Sequence, residues 1–450
     1  MPDHVAIIGA GFAGTLQAIN LLRHDGPRAT LIERRQRAGE GVAYGDADAM
    51  HVLNVRAANM SAFPDEPDHF VRWLRDTGHE ATARCFLPRR VYGAYLRALL
   101  LAASSASPDR LAVVQGDAVD LVNKGHGVSI QLAGGETIEA DVGVLALGNL
   151  PPHSPPGLHK GQLDPDFYFG DPWRHGSASG LAAEDHVLVL GTGLTMVDMV
   201  LKLRREGFEG PITALSRRGL LPHSHDEQAP YEPITQRPKP EATKLLSAVR
   251  DRARAVGWRN AVDELRPFTQ SLWRAADRQE RGRFLRHLRP WWDSHRHRIA
   301  PFVAEDLDRQ LASGKLKVMA ARTCEFSQED GGVLVTYRRR RSRDTEAAIF
   351  RRLINCIGPQ GDLSRTSEPL LKSLAKRGMI RPDADHLGID VDAQCRVVGT
   401  DDHSSDRLLA IGPMTRGAFW EIVAVPDIRV QTWSVARQLS NAHWVGGEGL

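Results

Sequence analysis

Residues 5–22, VAIIGAGFAGTLQAINLL, constrain this chain more than any other stretch. Val5 to Ile8 read as a buried strand, and Gly9-Ala10-Gly11-Phe12-Ala13-Gly14 follows at once with the G-x-G-x-x-G spacing that opens a helix. Each glycine has a physical reason. Gly9 permits the tight turn, Gly11 admits a pyrophosphate to the backbone, and Gly14 lets the helix pack close on the strand, its N-terminus facing the phosphate charge. Phe12 and Ala13 belong to the same ligand-facing turn. A second strand, Ala29 to Ile32, ends at Glu33, whose carboxylate is placed to hold the hydroxyls of an adenosine ribose and would repel a 2′-phosphate; Arg34 follows it. Strand, glycines, helix and terminal acid in this order predict a bound dinucleotide.

The pattern returns in the middle of the chain. His186 to Leu190 reads as a strand, and Gly191-Thr192-Gly193-Leu194-Thr195 opens a helix running through Leu201 and Leu203, with Thr195 read in place of the third glycine. The next strand, Ile212 to Leu215, ends in Ser216-Arg217-Arg218, where a hydroxyl and two guanidinium groups suit a 2′-phosphate. The second site is therefore expected to prefer NADPH, with NADH possible. Each unit also has a return strand, VGVLALGN with Gly148 near its end, and LINCIGP. The chain reads as an internal duplication at long period, an α/β protein with two Rossmann-like dinucleotide-binding domains.

Between the later strands lies a helical insertion, about residues 241–311, rich in Arg, Trp and His. Its stretch Arg286 to Arg298 reads either as an anion-recognising wall or as a solvated basic face with its tryptophans in the core. Residues 51–64 show neither helical nor strand period and read as an ordered segment lying over a ligand. Asp68 is expected to cap the helix after it, with Phe70, Trp73 and Leu74 on the core face. Arg338 to Arg341 reads as the tip of a β-hairpin.

Composition narrows the function. Lys+Arg 58 against Asp+Glu 55 leaves a net charge of +3, so no electrostatic case for nucleic acid or a membrane surface follows. Cys85, Cys324, Cys356 and Cys395 form no C-x-x-C pair and have no zinc-ligand spacing, so neither a redox disulfide nor a metal is expected. The first strand begins within five residues of the start and no apolar stretch is long enough to span a bilayer, so a cytoplasmic location is expected.

GAGFAGTLQAINLL, GVAYG, HVLNVRAANMSAFPDEPDHFVRWL, FLPRRVYGAYL, HLRPWWDSHRHR and GAFWEIVAVPDIRVQ together resemble the FAD/NAD(P)-binding flavoproteins related to the flavin-containing and N-hydroxylating monooxygenases. The resemblance covers nearly the whole chain. It implies that residues 1–155 and 359–450 form an FAD-binding domain and that residues 156–358 form an NAD(P)H-binding domain inserted in it. Carried over, Gly9, Gly11, Gly14 and Glu33, with Phe12, Ala13 and Arg34, would hold FAD; Gly148, Gly412 and Trp420 would complete that site. Gly191, Gly193, Ser216, Arg217 and Arg218 would hold NADPH. Asn54 falls where such enzymes place an asparagine beside the flavin, and Arg296 or Arg298 would orient an anionic substrate.

The implied activity is NAD(P)H-consuming hydroxylation of a small polar, nitrogen-containing molecule through a C4a-(hydro)peroxyflavin, with dioxygen as co-substrate and urate as the leading named candidate. A flavin reductase passing electrons to a quinone or protein acceptor is the alternative within the same two sites, and a non-catalytic FAD-binding redox sensor is a third reading. Oligomeric state is left open.

Overall fold

The computed structural model describes residues 1–48, 50–227 and 231–440. The chain divides into two compact units: one of Met1–Ala47, Arg56–Leu150 and Gly361 onward, the other of Asp48–Val55 and Pro151–Gln360.

In the first unit, six strands lie in the order Arg396–Val398, Ser404–Ala410, Val142–Leu145, His4–Ile8, Arg28–Glu33 and Leu111–Gln115. All neighbours are parallel except the antiparallel edge pair of the first two. The inner strand His4–Ile8 is buried along its whole length, which is why it reads as a continuous apolar run rather than an alternating one. Helix Phe12–Arg23 connects it to Arg28–Glu33, and Val425–Leu439 packs on that helix with Asn20 Nδ2 donating to Thr432 Oγ1 at 3.3 Å. A separate antiparallel sheet, Ala118–Asn123, Val128–Leu132 and Thr137–Ala140, has its second hairpin turned at Gly134-Gly135 as the sequence indicates. Asp68 does hold the N-cap position of helix His69–Asp76, but its carboxylate makes no capping hydrogen bond and lies instead 3.7 Å from Arg72. Phe70 and Leu74 are buried, and Phe70 meets Tyr92 and Tyr95 with ring centroids about 5 Å apart.

In the second unit, seven strands lie in the order Glu346–Phe350, Gly332–Arg339, Leu316–Glu329, Ile212–Ser216, Val187–Leu190, Arg352–Asn355 and Tyr168–Phe169. The four pairings from Leu316–Glu329 through to Tyr168–Phe169 are parallel, and the two at the opposite edge, among Leu316–Glu329, Gly332–Arg339 and Glu346–Phe350, are antiparallel. Arg338 to Arg341 lie at the end of the hairpin Gly332–Arg339 and Glu346–Phe350, where Arg339 Nε donates to Glu346 Oε1 at 2.7 Å. The insertion is helical throughout most of its length, from Ala242–Val256 to Pro301–Ala312.

The duplication extends to single residues. His4 Nε2 shares a 2.8 Å hydrogen bond with Thr30 Oγ1 across the first strand pair, and His186 Nε2 shares one of 2.9 Å with Thr213 Oγ1 across the second. Both histidines stand five residues before the first glycine of their turn. Burial, helped by Arg28 for His4 and by Lys317 for His186, pushes both imidazoles below the ordinary histidine value. A lowered pKa in the folded chain means that the unfolded chain binds more protons once the pH drops below about 6.5, so acid favours unfolding. The urea midpoint is therefore expected to fall between pH 7.5 and 5.5. Replacing His4 or His186 by Asn should flatten that slope; an unchanged slope in both variants would show that other groups set it.

Candidate functional site

The first candidate site is built where strand His4–Ile8 breaks into helix Phe12–Arg23. Gly9 has φ +103°, and a Cβ there would lie 2.5 Å from the carbonyl oxygen of Ala146, just past the return strand Val142–Leu145. A Cβ on Gly14 would come within 1.8 Å of Gly9 O, so the helix lies directly on the turn. Gly11 is the N-cap and no side chain caps the helix, so no side chain competes with an anion for the first-turn N–H groups. Glu33, almost fully buried, accepts from Ala10 N–H at 2.8 Å through Oε2 and from Arg35 N–H at 3.0 Å through Oε1. The backbone thus fixes the carboxylate, and each oxygen keeps a further lone pair for a ribose hydroxyl.

Other predicted members of this site sort differently. Phe12 and Ala13 are buried in the first turn of the helix, with the Phe12 ring against Tyr92. Arg34 is turned to the surface and ion-pairs with Glu368 at 3.0 Å. Gly148 has φ +70° with open space where its side chain would be. The C-terminal segment does come back to the glycine turn: a Cβ on Gly412 would lie 3.1 Å from Ala13 Cβ. Gln431 holds it there, accepting from Gly412 N–H at 2.7 Å and donating to Thr415 Oγ1 at 3.1 Å. Trp420 is buried beneath the Arg416 guanidinium, 4.4 Å from its ring centroid. Gly41 is a member that sequence reasoning missed; a Cβ on it would lie 2.9 Å from Gly11 Cα, so two glycines meet back to back over the phosphate-facing turn. The signal was the G-V-A-Y-G stretch, whose first glycine had no reason of its own.

The second candidate site repeats the first. Gly191 has φ +117°, and a Cβ there would lie 2.2 Å from the carbonyl oxygen of Cys356, just past return strand Arg352–Asn355. Gly193 is the N-cap of helix Leu194–Arg205, again without a side-chain cap, and the space over it is open. Counting from Gly191, the residue equivalent to Gly14 is Met196, not Thr195. Met196 is fully buried, so this helix stands far enough from its turn to admit a side chain. After strand Ile212–Ser216, Arg217 is exposed, while Arg218 donates to the carbonyl of Arg286 in the insertion at 3.3 Å. Ser216 Oγ accepts from Gly219 N–H at 3.0 Å and shares a 2.9 Å hydrogen bond with Thr192 Oγ1.

Three residues expected at the chemistry are placed by the second unit. Asn54 lies in the segment Asp48–Val55, and its carbonyl accepts from His225 Nε2 at 2.9 Å. Since a carbonyl only accepts, His225 carries its proton on Nε2. Arg296 closes helix Arg289–Arg296. Arg298 is 4 % exposed; it donates to both carboxylate oxygens of Asp263 at 2.6 and 3.0 Å and to His295 O at 2.8 Å, and it lies against the Trp258 ring. With those donors committed, Arg298 braces the insertion. Asp263→Ala would strand a buried guanidinium and is expected to cost roughly 2–3 kcal/mol, read as a lowered thermal midpoint. A midpoint unchanged within error would return Arg298 to the list of substrate contacts.

Among the described residues no group of three His, Cys, Asp or Glu could hold a metal ion, and no helix is long and apolar enough to cross a membrane. The four cysteines are all free thiols.

Residues 6–150, which carry the first turn, Glu33 and Gly148, match the FAD-NAD(P)-binding protein family. Solved structures resemble the whole chain. L-lysine 6-monooxygenase from Pseudomonas syringae has a TM-score of 0.66 at 16 % identity, with 98 % of this chain and 100 % of that one covered. The ornithine N-hydroxylase of Kutzneria sp. 744, solved with reduced FAD, NADP+ and L-ornithine, has a TM-score of 0.63 at 16 % identity over 98 % and 99 %. Thioredoxin reductase from Lactococcus lactis reaches 0.54 at 13 % identity over 98 % and 99 %. At such identities the likeness is one of fold, that of flavoproteins with two dinucleotide-binding domains. No curated protein sequence matches the chain.

Proposed function

We propose that the chain is an FAD-dependent, NAD(P)H-consuming monooxygenase acting on a small polar, nitrogen-containing substrate. The observation that carries this reading is the doubled site: two uncapped helix N-termini behind glycine turns, each closed by a return strand, one followed by an acid and the other by Ser-Arg-Arg. The residues fit the two nucleotides. The first-turn N–H groups of helix Phe12–Arg23 would hold the FAD pyrophosphate, Glu33 its adenosine ribose, and Gln431 would keep Gly412 against the turn. Around helix Leu194–Arg205 the same device would hold the reduced coenzyme, with exposed Arg217 toward its adenosine end. Bound FAD would supply the redox chemistry, accepting hydride and reducing dioxygen, while the chain's own residues hold and orient the two nucleotides.

One of the similar structures is named an ornithine N-hydroxylase and another an L-lysine 6-monooxygenase, and this supports a nitrogen-bearing substrate here. Urate finds no support of that kind. The fold likeness to thioredoxin reductase favours one other reading, an NAD(P)H-dependent reductase, but the free, separated cysteines give it no disulfide to use. Oxygen uptake separates the two. NAD(P)H should bleach the flavin anaerobically, and in air an amine substrate should raise oxygen consumption and appear as a hydroxylated product. Reduction that only a quinone or protein acceptor relieves, with no oxygenated product from any amine, would move the assignment to a reductase.

A further inference from the structure

Thr192 stands between the two glycines of the second turn, the position that Ala10 holds in the first. Its side chain is buried, and Oγ1 lies 2.6 Å from the carbonyl oxygen of Leu220 and 2.9 Å from Ser216 Oγ. A carbonyl only accepts, so the single hydroxyl hydrogen of Thr192 goes to Leu220, and the contact with Ser216 is donated by Ser216. Ser216 Oγ also accepts from Gly219 N–H. Its one hydrogen is therefore committed inside the protein, and a single lone pair is what it still offers.

That direction decides what Ser216 can recognise. A phosphate oxygen is an acceptor and gains nothing from a lone pair, whereas a ribose 2′-hydroxyl can donate to it. Glu33, at the corresponding place after the second strand of the first unit, is likewise acceptor-only. We propose that Thr192 is a specificity-determining residue of the second site: by taking the Ser216 hydrogen it turns Ser216 into an acceptor for a ribose hydroxyl and leaves any 2′-phosphate to the arginine side of the turn. The inference rests on the second unit being a coenzyme site. It reassigns a serine whose position in the sequence suggests phosphate binding.

The test uses the full chain saturated with FAD and two probes that differ only in the 2′-phosphate, adenosine 5′-monophosphate and adenosine 2′,5′-bisphosphate, titrated calorimetrically. Thr192→Val keeps the shape but releases the Ser216 hydrogen, and it is expected to tighten the bisphosphate roughly tenfold without tightening the monophosphate. Ser216→Ala should change bisphosphate affinity less than about twofold on its own, yet cancel the gain in the double variant. Thr192→Val weakening both probes alike would reduce Thr192 to a brace for the loop and overturn the proposal. So would a tenfold loss of bisphosphate affinity in Ser216→Ala alone, because Ser216 would then be donating to phosphate already. Failure of both probes to bind the unaltered chain would overturn the coenzyme reading itself, and the proposal with it.

Discussion

A Gly9→Ala variant is expected to emerge from purification with little or no flavin. The residue sits at φ +103°, where an alanine costs about 1–2 kcal/mol in backbone strain alone, and its methyl would lie 2.5 Å from Ala146 O. That oxygen cannot yield cheaply, because Ala146 N–H is itself bonded to Ile8 O at 2.9 Å, next to the inner pair of the sheet. Relief must come from shifting the return strand or the turn, and the total is expected to reach roughly 3 kcal/mol or more. Either shift moves the helix N-terminus that would hold the pyrophosphate. The check is the ratio of flavin to protein absorbance together with the thermal midpoint. A variant that is as yellow and as stable as the parent would remove the turn from the FAD site.

Gly191→Ala should separate the two sites. Here φ is +117° and the methyl would lie 2.2 Å from Cys356 O, so the strain is at least as great, but it falls in the other unit. Flavin content is expected to stay near the parent value while anaerobic bleaching by NAD(P)H slows on the order of 100-fold, the equivalent of about 3 kcal/mol at tenfold per 1.4 kcal/mol. Dithionite should still reduce the flavin fully. Loss of flavin in this variant, or bleaching at the parent rate, would contradict the assignment of the second turn to the reduced coenzyme.

Much of this was legible because the decisive signals are local. The spacing of Gly9, Gly11 and Gly14, the acid at Glu33 and the return to Gly148 each follow from what a strand–turn–helix needs over a few residues. The same is true of the second turn, where the residue in register with Gly14 is Met196 rather than Thr195. The basic insertion was harder to read. An arginine in a stretch rich in arginine and histidine has no sequence mark that tells a buried brace from a ligand contact, and Arg298 became a brace only because folding brought Asp263, thirty-five residues earlier, beneath it.

Asn54 shows the same limit. Its place in the chain lies within the first dinucleotide unit, yet the segment Asp48–Val55 makes its contacts with the second. His225, far along the chain, takes its carbonyl. Thr192 is the sharpest case, since the residue is visible in the sequence but the direction of its hydrogen depends on where Leu220 O sits.

By itself, then, the sequence determined that this chain builds two parallel-sheet units around glycine turns suited to dinucleotides, because those demands are met by neighbours in the chain. Tertiary structure alone decided which polar groups remain available at each turn. A donor or acceptor is available only if no distant group has taken it, and the identity of that distant group is set by packing rather than by spacing.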